Sequence, residues 1–175
     1  MRNQALTGFV FVAALLAAGA TQAQAPQPPN LDAIPDAMPF NVPYGMPIGA
    51  ERAEQLIQAA VAEATKRGWP MNVSVVDPSG NLIAFERMDG AQLASIEISQ
   101  HKARTAARFR RETKLFENGI QNGLNYLITL DGVIGSRGGI PLVEGGKLIG
   151  AIGCSGCTGS QDEVIAKAGA ALINK

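Results

Sequence analysis

Seven of the ten prolines of this 175-residue chain lie between Pro26 and Pro47. Proline lacks a backbone N–H and has a fixed φ, so this segment favours extended, polyproline-like backbone over a helix or a central strand. Any compact domain must therefore be built from residues 49–175. Residues 24–48 are predicted to form a proline-rich arm, part of which packs on the domain or on a neighbouring subunit. The apolar residues that suggest this packing are Leu31, Ile34, Met38, Phe40 and Tyr44.

The segment before the arm has the three-part pattern of a secretory signal. Arg2 is followed by an apolar run from Ala5 to Ala18, which is too short to span a bilayer, and then by small residues at Thr21 and Ala23. Residues 1–23 are therefore predicted to be a signal peptide that is cleaved after Ala23. The body of the protein is expected to be periplasmic or secreted, without stable insertion in the membrane. An uncleaved membrane anchor is the alternative.

Composition and charge favour one globular domain after the arm. The chain has 15 basic and 15 acidic residues, and 46% of it is hydrophobic against 17% charged, which is typical of a single soluble domain. Balanced charge gives no general attraction to nucleic acid or to anionic membranes. Six basic residues cluster between Lys102 and Lys114, but only Phe109 offers a stacking side chain there. We therefore expect no nucleic-acid partner.

Hydrophobic spacing predicts an alternation of helices and strands in the domain. The predicted helices cover 49–67, 94–111, 113–123 and the residues after a capping box at 160–163. The predicted strands cover 71–75, 82–86, 125–129, 140–143 and 148–153. This order favours an α+β fold in which an antiparallel five-stranded sheet is backed by helices on one side, and it does not suit a doubly wound nucleotide-binding fold.

The single histidine of the chain, His101, is the first candidate for a ligand site. On the predicted helix it shares a face with Glu97, Arg104, Thr105 and Arg108. An imidazole beside two guanidinium groups suits an anionic ligand. Haem fits this set, because the imidazole can bind the iron while the arginines pair with the propionates. The alternative is a solvated helix face on which Glu97 and His101 pair locally.

Two further pairs of residues are candidates for other chemistry. Cys154 and Cys157 form a C-x-x-C pair, which in an oxidising compartment could be a structural disulfide, a redox centre or two free thiols. Residue 158 is Thr, so the pattern for covalent haem attachment fails. Glu51 and Glu54 lie one helical turn apart and could hold an iron or calcium ion if a further ligand joined them. Solvated surface charge is the alternative for this pair.

Several stretches of the chain occur together in the order found in a known family. They are Val73-Ser-Val-Val-Asp-Pro-Ser-Gly-Asn-Leu, Ser95-Ile-Glu-Ile-Ser-Gln-His-Lys-Ala-Arg-Thr-Ala, Gly138-Gly-Ile-Pro-Leu, and Ile149-Gly-Ala-Ile-Gly followed by Gln161-Asp-Glu. In this order they resemble the GlcG/HbpS family of small haem-binding proteins, over roughly residues 48–174. The resemblance implies a profilin- or roadblock-like sheet with flanking helices, assembly into homo-oligomers, and binding of haem or a related tetrapyrrole. It also implies haem degradation for some members and haem sensing or scavenging for exported ones.

We therefore predict an exported haem-binding protein. Binding is favoured over catalysis, because no second acid or base is tied by spacing to His101 and no flavin or nicotinamide motif is present; no catalytic residue is assigned. Three alternatives stay open: a binding protein for another small anionic ligand, a structural homo-oligomer without haem, and a thiol-redox protein that uses Cys154 and Cys157.

The signal pattern generates the first testable prediction. Mass spectrometry of the exported protein should show a chain that begins at or near Gln24, because the small residues at Thr21 and Ala23 suit signal peptidase. An exported protein that retains Met1 would contradict cleavage.

Overall fold

The structure is a computed structural model that describes residues 30–38 and 40–174; the predicted signal peptide lies outside these ranges. The helices are α1 (Ala50–Arg67), α2 (Ser95–Phe109), α3 (Lys114–Gln121), a 3-10 helix (Asn125–Thr129) and α4 (Gly159–Ala170). The strands are β1 (Asn72–Val76), β2 (Leu82–Arg87), β3 (Gly139–Glu144) and β4 (Lys147–Ser155). Among these helices, none is both long enough and apolar enough to cross a membrane.

The strands form one antiparallel sheet in the order β2-β1-β4-β3. β1 is interior, with β2 on one side and residues 151–155 of β4 on the other. Every residue of β1 is buried, so both faces of the sheet are covered. Its side chains alternate between the faces, as strand geometry requires: Val73 and Val75 belong to the main core, while Ser74 and Val76 face α2.

Helices α1 and α4 cover the face of Val73 and form the main core with the sheet. α1 ends at Gly68, which adopts the left-handed conformation and donates its amide to the carbonyls of the last turn. α4 begins with a capping box between Thr158 and Gln161, two residues earlier than the sequence predicts. The larger buried side chains of this core include Leu56, Ile57, Met71, Leu142, Ile152 and Ile165.

Helix α2 covers the other face and lies unusually close to β4. A Cβ added at Gly153 would collide with the carbonyl oxygen of Ser99 and with the amide of Ala103, so only glycine permits this approach. The facing residues are small, and polar ones among them pair in the interior. Ser74 and Ser99 hydroxyls lie 2.8 Å apart, and Ser155 Oγ donates to Ser95 Oγ at 2.9 Å.

The end of the arm adds to the sheet. The Leu148 amide donates to the Pro43 carbonyl, the Gly45 amide donates to the Leu148 carbonyl, and the Ile48 amide donates to the Ile149 carbonyl. These bonds use the stretch of β4 that precedes its pairing with β1. This part of the arm is therefore packed on the domain, whereas its earlier apolar residues Leu31, Ile34 and Met38 are exposed.

The α+β class and the antiparallel sheet with flanking helices are confirmed, but two predicted details are wrong. The sheet has four strands rather than five, because Asn125–Thr129 forms a 3-10 helix. Local bonds compete there with a strand: Gly123 turns the chain at φ 89°, and Thr129 Oγ1 donates to the Tyr126 carbonyl. Helices also cover both faces of the sheet, since α2 lies opposite α1 and α4. The profilin- or roadblock-like description stays a prediction.

The contact at Gly153 should dominate the stability of the α2 face. Gly153→Ala forces the helix away from β4 and should lower the free energy of unfolding by about 3 kcal/mol, at the upper end of the usual cost of overpacking. Urea denaturation followed by circular dichroism measures this. Gly49→Ala is the matched control, because an added Cβ meets nothing within 4 Å there, and it should cost less than about 1 kcal/mol. Equal losses for both variants would contradict the argument.

Candidate functional site

His101 borders a surface cleft of about 340 Å³ on the outer side of α2. Glu97, Gln100, His101 and Arg104 line it, since residues three or four positions apart share one face of a helix. The imidazole is partly buried, while Glu97 is exposed. The structure thus places His101 and Arg104 at one cleft.

Partial burial lowers the pKa of His101 below its ordinary value of 6.5, and the nearby Arg104 guanidinium lowers this pKa further. The neighbouring Gly132 carbonyl opposes the shift. The net lowering leaves the ring neutral at pH 7. A neutral imidazole keeps a lone pair on one ring nitrogen, and this is the state in which an imidazole binds a metal.

Thr105 holds the loop that carries Gly132 and does not line the cleft. Its hydroxyl donates to the Gly132 carbonyl at 2.8 Å and accepts from the Ile134 amide at 3.2 Å. The side chain is fully buried, so both bonds are shielded from water and rigid. Thr105 therefore positions the carbonyl that faces His101, and the predicted direct role in holding a cofactor stays a prediction.

Arg108 also does not line the His101 cleft. It borders a second cleft, of about 430 Å³, together with Tyr44 and the β1–β2 turn. Gly80 of that turn packs between the two arginines: a Cβ there would lie 2.5 Å from Arg104 Cγ and 2.9 Å from Arg108 Nε. A Cβ at Gly132 would also lie 3.9 Å from Arg108 Nη1. Arg108 thus lies near Arg104 and the Gly132 loop without lining the His101 cleft, and its predicted pairing with a haem propionate stays a prediction.

The two cysteines are free thiols in a setting that disfavours thiolate chemistry. Cys154 is fully buried in the main core, and Cys157 is partly buried on the loop that follows β4. Burial raises the pKa of both thiols, and the Asp162 carboxylate raises both further. Since the thiolate is the reactive form, neither side chain is activated as a nucleophile.

Glu51 and Glu54 lie on the exposed first turns of α1. Within residues 30–38 and 40–174, no group of three or more His, Cys, Asp or Glu side chains is arranged to hold a metal ion. The predicted iron or calcium site at Glu51 and Glu54 stays a prediction.

A buried ion pair lies on the inner side of the same helix. Lys102 Nζ donates to Asp162 Oδ2 at 2.6 Å, and both side chains are almost fully buried, with 1% and 3% exposure. Asp162 Oδ1 accepts from the Gly156 and Cys157 amides, both at 3.1 Å. Burial raises the pKa of Asp162, while Lys102 and the two amides oppose that shift. The pair ties α2 to α4 and to the loop that contains Cys157.

The sequence prediction missed this pair. Lys102 falls on the sheet-facing row of α2, which otherwise carries small residues such as Ser95, Ser99 and Ala106. A lysine on such a row signals a buried partner, because a lysine is almost never buried unless it is paired. Nothing in the sequence identifies Asp162 as that partner, since 60 positions separate the two residues.

Most of the chain matches one protein-family model. The family model described as haem degrading protein HbpS-like matches residues 48–171. The chain belongs to this family. The match spans every element from α1 to α4. It includes all residues that line the two clefts except Tyr44, Gly45 and Pro47, which belong to the arm. It confirms the resemblance that the sequence motifs indicate.

Individual proteins and solved structures are also similar to this chain. Protein GlcG of Escherichia coli strain K12 is 42% identical over 108 residues, which are 62% of this chain and 81% of GlcG. A double mutant of HbpS from Streptomyces reticuli is 30% identical with a TM-score of 0.69, over 82% of this chain and 98% of that one. The PduOC:heme complex is 33% identical with a TM-score of 0.66, over 74% and 96% of the two chains.

The buried ion pair gives the third prediction. Lys102→Met leaves the Asp162 carboxylate buried without its cation and should lower the free energy of unfolding by about 3–5 kcal/mol. Combining Lys102→Met with Asp162→Asn should cost clearly less than the sum of the single changes, because no uncompensated charge remains. Urea denaturation of the three variants measures the coupling.

The exposed ion pair between Arg52 and Glu144 provides the control. Arg52→Met should leave the denaturation midpoint unchanged, since exposed pairs contribute little to stability. Additive losses at Lys102 and Asp162 would contradict a direct coupling between these two side chains.

Proposed function

We propose that this protein binds haem at the His101 cleft, with His101 as the iron ligand and Arg104 as the partner of a propionate. The observation that carries the proposal is the setting of His101: a partly buried imidazole with a lowered pKa that lines one cleft together with the Arg104 guanidinium. Haem iron accepts an imidazole nitrogen, and arginine pairs with carboxylates such as propionates.

The comparisons support haem as the ligand. The matching family model is described as haem degrading protein HbpS-like, and one similar solved structure is a complex of PduOC with heme. Haem in other proteins supports electron transfer, oxygen binding or oxidative chemistry. The chain's own residues supply binding and orientation. His101 offers its lone pair, Thr105 holds the loop behind it, and Arg104 offers charge at the rim.

The size of the cleft bears on assembly. Ligand sites usually measure about 300–1,000 Å³ and cover most of the ligand, so a cleft of about 340 Å³ lies at the lower end and leaves much of a macrocycle outside. We propose a homo-oligomer in which a neighbouring copy covers the rest. We also propose that the protein is exported to the periplasm or secreted and serves in haem sensing or scavenging, with haem degradation as the enzymatic option.

The other sequence hypotheses are less well supported. The raised pKa values of Cys154 and Cys157 disfavour a thiol-redox protein. Another small anionic ligand would also suit Arg104, but it would make no use of a neutral imidazole with a free ring nitrogen. Haem uses both features.

Hemin titration of the purified protein tests the proposal. His101→Ala should abolish or shift the iron-linked absorption band, because it removes the ligand. Arg104→Gln should weaken hemin affinity about tenfold while the band keeps its shape, since a charge-assisted contact contributes about 1.5 kcal/mol. The wild-type band should persist as the pH falls below 6.5 and disappear only at lower pH, because the pKa of His101 is lowered and protonation removes the lone pair.

The matched control is Arg67→Gln, an arginine at the end of α1 that pairs with Glu63 and lines neither cleft. It should leave both the affinity and the band unchanged. An unaltered spectrum and affinity in His101→Ala would place the iron elsewhere and overturn the assignment.

A further inference from the structure

The second cleft is a composite of three parts of the chain. Tyr44, Gly45 and Pro47 come from the arm, Pro78 and Ser79 from the β1–β2 turn, and Arg108 from α2. It measures about 430 Å³, which lies within the usual range for small-molecule sites. Nothing in the haem proposal uses it.

Arg108 is held in place and keeps free donors. Its Nε donates to the Ser79 carbonyl at 2.8 Å, which anchors the guanidinium plane on the turn. Within the described residues, its terminal nitrogens make no hydrogen bond, and no carboxylate lies within ion-pair distance. An anchored guanidinium with unused terminal N–H groups is suited to receive an oxyanion, since those groups form a planar fork.

The remaining wall is flat and mostly apolar. The Tyr44 ring is half exposed, and its position is fixed because its hydroxyl donates to the Arg108 carbonyl at 2.8 Å. The Arg110 guanidinium lies 5.4 Å from the centroid of the same ring. Pro47 and Pro78 add two further rings to the lining. This wall suits a ligand with a compact, flat apolar group better than a ligand with many hydroxyl groups.

The charge of the site selects among anions. One guanidinium group faces the cleft, and it stands at the C-terminal end of α2, where the helix dipole is negative. A single cation in such a field balances a monoanion better than a dianion. A carboxylate therefore suits the site better than a phosphate.

We propose that the Tyr44–Arg108 cleft is a second ligand site, which binds small organic acids whose carboxylate is attached to a flat apolar ring. Arg108 receives the carboxylate, while Tyr44 and the two prolines cover the ring. His101 and Arg104 do not line this cleft, so the site differs from the proposed haem site in its lining residues.

Benzoate is the probe for this site. In the ¹⁵N-labelled protein, benzoate should produce saturable shifts of the Gly45, Ser79 and Gly80 amide signals, with a dissociation constant in the millimolar range or tighter. Benzyl alcohol, which has the ring without the charge, and inorganic phosphate, which has charge without the ring, should each bind at least tenfold more weakly. Phenyl phosphate should bind more weakly than benzoate, since it carries a second negative charge.

Two arginine variants separate a specific site from general attraction. Arg108→Gln should weaken benzoate binding at least tenfold, and Arg67→Gln, which removes a surface positive charge that lines neither cleft, should change it less than twofold. In the absence of benzoate, amide signals distant from the substituted residue should keep their wild-type positions, which confirms that both variants are folded. Absence of saturable shifts in the wild type, equal binding by Arg108→Gln, or shifts at His101 without shifts at Gly45 and Ser79 would each overturn the proposal. A failure here leaves the haem assignment untouched, because the proposed iron ligand His101 does not line this cleft.

Discussion

The close approach of α2 to β4 at Gly153 is the constraint on which the rest of the structure depends. The missing side chain lets the helix backbone touch the sheet, and the facing positions must then be small. Ala103, Ala106 and Ala107 meet that demand on the helix, and Ala151 meets it on the strand. A helix held this tightly has one possible rotation. Its outer face is therefore fixed as well, and His101 and Arg108 belong to that face.

The same approach brings polar groups into the interior, where each needs a partner. Lys102 is the extreme case, since its charge is buried between sheet and helices and is balanced by Asp162. Asp162 in turn accepts hydrogen bonds from two backbone amides of the loop that contains Cys157. The ion pair thus fixes the register of α2 against α4. A shift of α2 along its axis would separate the two charges, and this explains how a costly interaction can specify one arrangement.

The sequence predicts the elements better than the surfaces they form. Helical and strand periods locate α1, α2 and the strand pairs β1–β2 and β3–β4, because the buried faces of these elements are regular. They mislead at Asn125–Thr129, where local hydrogen bonds decide. Helical spacing also groups His101 with Thr105 and Arg108, but the structure buries Thr105, and Arg108 lines a second cleft with the arm and the β1–β2 turn. Spacing along one helix cannot reveal loops that arrive from elsewhere in the chain.

Arg110 attaches the arm to the domain. It ends α2 in the left-handed conformation, with φ 56°, and is the one non-glycine residue with positive φ in the described part of the chain. Glycine is usual at this position, and another residue costs about 1 kcal/mol. The side chain offsets this cost, because its guanidinium donates to the Val42 carbonyl at 3.1 Å and lies against the Tyr44 ring. The contacts of Arg110 thus compensate for its backbone strain and fix the arm on the domain. Tyr44 of that arm supplies one wall of the cleft next to Arg108.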